Sequence, residues 1–251
     1  MKTWTKITLL ALFVGLLGAG YIAFRSKEVT LRPKEPALAE PVYNGTKLTA
    51  WLSNYSTPNR APADQALRQI GSDALPTLLR MLRDNGPSEK SLHLQAAWGI
   101  RALGSNAQSA VPELIRIADQ GVSTDSRAWT IEALGFIGEP ARETLPQFLK
   151  WATNAEDRVR AEAVWALGWA FGKKGFECER VLPVLTGALH DTNTLVRVRA
   201  LGSLQSYGPA AKSVVPSLIE LLNSDSRAMS RQTVIDTVKA IDPEAAANIN
   251  P

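Results

Sequence analysis

Cysteine is nearly absent from this 251-residue chain, with Cys178 its single representative. One thiol closes no disulfide within the chain and builds no cysteine-based zinc site. No cysteine lies near residue 20, which excludes a lipidated cysteine at a processed N-terminus. Histidine is almost as scarce. His93 and His190 are far apart and are followed by Leu94 and Asp191, so no His-Glu pair exists to start a metal cluster. A P-loop, a Gly-rich phosphate loop and a Ser–His–Asp arrangement are also missing. An excess of charge is missing too, once the chain is divided. The pI near 9.3 invites a nucleic-acid reading. However, residues 1–46 hold six basic and three acidic residues, leaving 22 basic against 21 acidic for the remainder. A broad phosphate-tracking surface is therefore not expected, and nucleic acid is an unlikely partner.

What is present is periodic. Pro76, Pro112, Pro146, Pro183 and Pro216 are separated by 36, 34, 37 and 33 residues. Each follows Leu or Val. Each has an apolar residue two positions on (Leu78, Leu114, Phe148, Leu185, Leu218) and another six positions on (Leu82, Ala118, Ala152, Leu189, Leu222). Proline is tolerated in the first turn of a helix, where its missing N–H has no partner to lose. Each period therefore predicts a first helix with the proline near its front, a polar turn, and a second helix rich in Ala and Leu that ends at glycine, as at Gly138, Gly172 and Gly208. Neither helix can bury its apolar face alone, whereas stacking of successive units does so.

The proline context, the apolar spacing and the paired helices resemble the HEAT-repeat family, in particular its short bacterial type, over residues 47–243. The resemblance implies an all-α fold, a right-handed α-solenoid of about six two-helix repeats. A weaker unit at 47–71 precedes five clear ones, a last helix over 227–241 caps the stack, and 244–251 form a tail. Insertion of Lys173–Cys178 interrupts the spacing.

Residues 7–24 are uncharged and mostly apolar, with Lys2 and Lys6 before them and Arg25 and Lys27 after. At about 1.5 Å per residue this is just enough helix for a bilayer core. A cleaved signal peptide is the competing reading, with Gly18-Ala19-Gly20 as a weak site. The run through Phe24 favours an uncleaved transmembrane anchor over residues 1–27 that contacts the lipid bilayer. The basic head suggests export of the following domain to the extracytoplasmic side, although the positive-inside count points the other way. Pro33, Pro36 and Pro41 make 28–46 an extended tether.

Two sets of residues could carry function. An Arg recurs early in the second helices with an Asp shortly before it: Asp125 and Arg127, Asp157 and Arg160, Asp191 and Arg197, Asp225 and Arg227. These read as a structural ladder tying turns and neighbouring repeats, with an anion-binding row as the sharper alternative. His93 occupies the slot in the first full unit, where the ladder should lapse. The second set is aromatic. Trp98, Trp129, Trp165 and Trp169 fall on second helices, which in HEAT arrays line the concave side. They could fill the core or contact a partner together with Arg158, Lys173 and Lys174. Arg158, Arg160, Lys173, Lys174, Arg197 and Arg199 could form a local basic patch.

The enzymes among HEAT-like proteins set expectations. Deoxyhypusine hydroxylases need repeated His-Glu pairs, and the DNA glycosylases need a basic groove. Phycobilin lyases are closer in repeat style, but no residue here marks a bilin site. The leading expectation is a membrane-tethered scaffold that binds another protein, with no catalysis and no cofactor of its own. A phycobilin-lyase-like enzyme or ligand-binding factor is the alternative, and nucleic-acid binding through the local basic patch is a second one.

Overall fold

The computed structural model describes residues 39–57, 60–84, 86, 89–138, 143–172, 175–223 and 230–249. The apolar run 7–24, Lys173, Lys174, Asp225 and Arg227 lie outside the described residues. The chain divides into two units, Met1–Ala39 and Glu40–Pro251, and all described secondary structure belongs to the second.

That unit opens with a short hairpin of β1 (Val42–Tyr43) and β2 (Thr46–Lys47). Asn44 and Gly45 form its turn with φ of 49° and 74°, the left-handed pair that a tight two-residue hairpin requires. The end of the expected tether is thus built into the domain. Leu48 N–H donates to the Pro41 carbonyl at 2.9 Å, and Trp51 Nε1 donates to the Tyr43 carbonyl at 3.2 Å.

Helices then follow in pairs: α1 (Leu48–Ser53) with α2 (Ala61–Ile70), α3 (Leu75–Leu82) with α4 (Glu89–Leu103), and α5 (Val111–Gln120) with α6 (Thr124–Ile137). The series continues with α7 (Leu145–Trp151) and α8 (Asp157–Phe171), α9 (Cys178–Ala188) and α10 (Thr194–Tyr207), and α11 (Val215–Asn223) and α12 (Arg231–Ile241). Pro76, Pro112, Pro146 and Pro216 are each the second residue of their α-helix. Pro183 differs. It lies inside α9, which starts five residues earlier at Cys178.

The insertion explains the difference. Gly172 keeps right-handed helical angles, and the left-handed turn that Gly138 and Gly208 make falls instead at Gly175, with φ of 58°. The loop is pinned by Phe176, whose ring stacks on Phe171 at 5.9 Å and whose carbonyl accepts from the Tyr207 hydroxyl at 3.3 Å. Pro243 does not simply end the last helix. Asp242 caps a further short helix, α13 (Pro243–Ala247), by accepting from Ala245 N–H at 3.3 Å.

The residues two and six positions after each proline form the spine of the core. Leu78, Leu82, Leu114, Ala118, Phe148, Leu185, Leu189 and Leu218 are wholly buried, Ala152 nearly so, and Leu222 partly. Spacing of four puts each pair on one helix face, and burying one Leu contributes about 1.5–3 kcal/mol. Successive second helices pack directly on one another, whereas successive first helices barely touch. The second helices therefore occupy the inner side of the stack. Small residues allow the approach: a Cβ on Gly135 would lie 3.0 Å from Ala166 Cβ.

The Asp–Arg ladder runs between repeats, and its partners follow the sequence pattern in part, as the Asp157–Arg160 pair does. Arg127 pairs with Glu156 of the next turn. Arg160 forms a two-pronged pair with Asp191, both N···O distances 2.9 Å, and also reaches Asp157 at 2.7 Å. Arg197 binds the Asp191 and Thr192 carbonyls at 2.6 and 3.0 Å rather than a carboxylate. Arg83 with Glu113 adds a rung that the pattern did not show. The reason is geometric: an Arg early in a second helix points at the turn stacked beside it, about one repeat away. At the lapsed rung His93 is fully buried, and its Nε2 lies 2.8 Å from the Asp84 carbonyl oxygen.

Truncating Arg160 removes a charge-assisted fork in a half-buried setting. Arg160→Ala is expected to lower stability by about 1.5–3 kcal/mol in urea unfolding followed by circular dichroism. A loss near zero would show that the rung is ornamental.

Candidate functional site

The inner face carries a continuous strip of rings and guanidinium groups, assembled because α4, α6, α8 and α10 present the same helical positions side by side. At one end Arg60 lies over the Trp98 ring, 3.2 Å from its centroid. Arg101, one turn from Trp98 on α4, lies 5.5 Å from both the Trp98 and Phe136 rings and so bridges α4 to α6. Phe136 meets Trp169 of α8 edge to face at 6.3 Å. Trp169 and Trp165, one turn apart, stack at 6.2 Å with an 11° interplanar angle. Arg199 of α10 completes the strip 4.5 Å over Trp165. The Trp165 ring is seated by Gly202, where a Cβ would come within 2.9 Å of Trp165 Cζ3.

Beneath the rings lies a carboxylate pair. Glu162 is 2% exposed. Its Oε1 accepts from Arg158 Nε at 3.0 Å, and Oε2 lies 3.5 Å from Arg199 Nη2 in an ion pair without hydrogen-bond geometry. Arg158 also covers the Trp129 ring at 5.1 Å and lies 3.9 Å from Asp125. Glu132 is half-buried on the neighbouring helix. Burial first, then the negative charge of Glu162, raise its pKa to about 7, although Arg199, Arg158 and Arg101 oppose the shift.

Of the residues singled out in the sequence, Trp98, Trp129, Trp165, Trp169 and Arg158 are brought together on this face. Trp98, Trp129 and Trp165 are half-buried, and Trp169 is 43% exposed. Trp151 has the opposite fate: it is core, with Nε1 donating to Asp119 at 2.8 Å. The described members of the basic patch divide. Arg160 and Arg197 are turned into the ladder, and Arg158 and Arg199 share Glu162.

Phe136, Arg60, Arg101, Glu132 and Glu162 were missed. Position 136 is the counterpart of Trp169, four residues after Glu132 as Trp169 is four after Trp165. Aligning second helices from their early arginine would have found it. No local signal marks Arg60.

A family model of HEAT repeats matches residues 111–205. A phycobilisome maturation protein of Synechococcus elongatus is 29% identical over 186 residues, which is 70% of this chain and 84% of the relative. The uncharacterized protein SkfG of Bacillus subtilis is 30% identical over 129 residues, covering 50% of this chain and 71% of that protein. Among solved structures, the complex of CpcE and CpcF of phycocyanin lyase from Nostoc sp. PCC7120 matches with a TM-score of 0.53 at 24% identity, covering 66% of this chain and 98% of that one. Kap95p, in its complex with RanGDP, matches with a TM-score of 0.52 at 15% identity, over 87% of this chain and 27% of its own. Both structural likenesses are of fold. With its repeated helix pairs, the matched repeat model and the shared sequence of the Bacillus relative, the chain belongs to the HEAT-repeat family.

Proposed function

We propose that this chain is a HEAT-repeat binding factor whose inner, second-helix face docks a client protein, and that its work is the handling or maturation of that client. The observation that carries the reading is the unbroken strip from Arg60 to Arg199, in which large rings stay partly exposed on three successive repeats instead of sinking into the core. Aromatic and arginine side chains supply most of the energy at protein interfaces. The maturation role named for the Synechococcus relative supports a client over a passive spacer.

Trp169 is the test residue, because it is the exposed centre of the strip. Trp169→Ala is expected to weaken client capture by about 2 kcal/mol or more. The measurement is crosslinking and recovery from the native host, scored against wild type. Equal recovery would sink the reading.

A second reading is specifically favoured by the same relative. A planar conjugated tetrapyrrole with carboxylate arms would suit two stacked indoles flanked by Arg199 and Arg101, so a lyase-like factor that handles bilin fits the strip. The purified chain mixed with bilin should then show a shifted visible spectrum, and an unchanged one would remove this reading. We also propose that residues 7–24 hold the domain at a membrane, with 28–39 as spacer and the domain outside the cytoplasm. A reporter joined after Pro251 that is active only in the cytoplasm would reverse that orientation.

A further inference from the structure

Most of the strip is positive rather than merely aromatic. No ion pair joins Arg60 or Arg101 to a carboxylate among the described residues, and Arg158 and Arg199 share Glu162. Asp125 near Arg158, Glu132, and Asp64, which accepts from the Tyr55 hydroxyl beside Trp98, are the other acidic groups described on this stretch. A guanidinium stacked by its face on a ring keeps its N–H edge in plane and open to an acceptor. That edge is shaped for a carboxylate, taken two-pronged. Neighbouring helices are about 8–10 Å apart, and an extended chain advances about 3.3 Å per residue. One step of the strip therefore corresponds to about three residues of an extended ligand, and carboxylates and rings can alternate along it in register with guanidinium groups and indoles.

We infer that the docking face selects an extended acidic segment of its client, with Asp or Glu side chains on Arg60, Arg101 and Arg199 and interleaved aromatic side chains on Trp98, Phe136 and Trp169. This inference rests on the docking reading above and adds the chemistry of the partner. The strip's own composition favours a peptide over nucleic acid. The ladder holds Arg160 and Arg197 away from the face, so the guanidinium groups track rings and not a continuous line of phosphates.

The test uses the full chain and three fluorescein-labelled twelve-residue peptides, each a three-residue repeat of a polar residue, Phe and Ser (Glu/Phe, Gln/Phe and Lys/Phe), read by anisotropy. The Glu/Phe peptide is expected to bind at least about tenfold tighter than Gln/Phe, and Lys/Phe weakest. Arg60→Glu and Arg101→Glu should each cost the acidic peptide about tenfold and leave the Gln/Phe peptide unmoved. Neither side chain is in an ion pair among the described residues, so a circular-dichroism melt should show both variants folded. Equal binding of Glu/Phe and Gln/Phe, or a preference for Lys/Phe, overturns the inference. Displacement of the acidic peptide by oligo-dT at equal concentration also overturns it, in favour of a general polyanion site.

Client capture separates the two levels. If Trp169→Ala loses the client while Arg60→Glu and Arg101→Glu retain it, docking stands and acidic recognition falls. If all three retain it, docking itself falls.

Discussion

Gly168→Val is expected to split the unfolding of this domain into two transitions. A Cβ at position 168 would lie 2.4 Å from Ser203 Cα and 2.6 Å from both Ser203 Cβ and Oγ. The nearest obstacle is backbone, so no rotamer change relieves it, and α8 must move away from α10. That separation also strains the bond from Ser203 Oγ to the Val164 carbonyl, now 2.8 Å. Overpacking of this kind costs about 1–3 kcal/mol, more where backbone must shift. In a repeat stack the loss falls on one interface, and nearest-neighbour coupling is what makes the stack unfold together.

All seven tryptophans lie at or before residue 169. Tryptophan fluorescence therefore reports the repeats up to α8, while far-UV circular dichroism reports every helix. The two signals should coincide in wild type and separate in Gly168→Val, with the dichroism showing an added early phase. Coincident curves with an unmoved midpoint would show that the α8–α10 contact is not tight. Gly187→Ala is the control. Nothing lies within 4 Å of a Cβ there, and α9 should gain a few tenths of a kcal/mol or more from the better helix former.

The second large effect is a stability gain that depends on pH. Glu132 has its pKa raised from 4.5 to about 7, by burial first and by the charge of Glu162 second. The folded state therefore holds a proton that the unfolded state releases between those values. Its contribution is fully present below pH 4.5 and is lost as pH rises through about 7. Above neutrality the wild type carries a half-buried charge beside another, at a cost on the order of 3 kcal/mol. Glu132→Gln removes that charge and keeps the shape. It should stabilise the protein by up to about 3 kcal/mol at pH 8 and change little at pH 4.

Other carboxyls do not blur the window. Arg116 holds Glu113 below its ordinary value, and Arg160 does the same for Asp191. Both contribute stability that is present at neutral pH and lost only as pH falls through the acidic range. Urea unfolding of both proteins from pH 4 to 8 decides the matter, and parallel curves would show that Glu132 is solvated. The same titration bears on the docking face. Below pH 7 the face gains net positive charge as Glu132 protonates, so an acidic client should bind more tightly there.

Much of this protein was legible in the chain because its rules are local. A proline with apolar residues two and six positions later specifies one helix and its buried face within a dozen residues. Repetition of that unit fixes a stack, since neither helix can bury its face alone. Trp98, Trp129, Trp165 and Trp169 could be assigned to second helices for the same reason.

What tertiary structure decided are relations between residues about thirty positions apart. Arg127 and Arg160 take acidic partners from the next turn, because stacking lays that turn against the start of the second helix, and Arg160 also keeps its local Asp157. Trp151 is core and Trp169 is half outside, although sequence context hardly distinguishes them. The facing helix contributes, by offering Asp119 to one and the ring of Phe136 to the other. Glu132 and Glu162 look like ordinary surface carboxylates, and only the apposition of two second helices buries Glu162 and half-buries Glu132 near it. Local periodicity determined that there would be an inner face, and the packing between repeats determined which rings and charges occupy it.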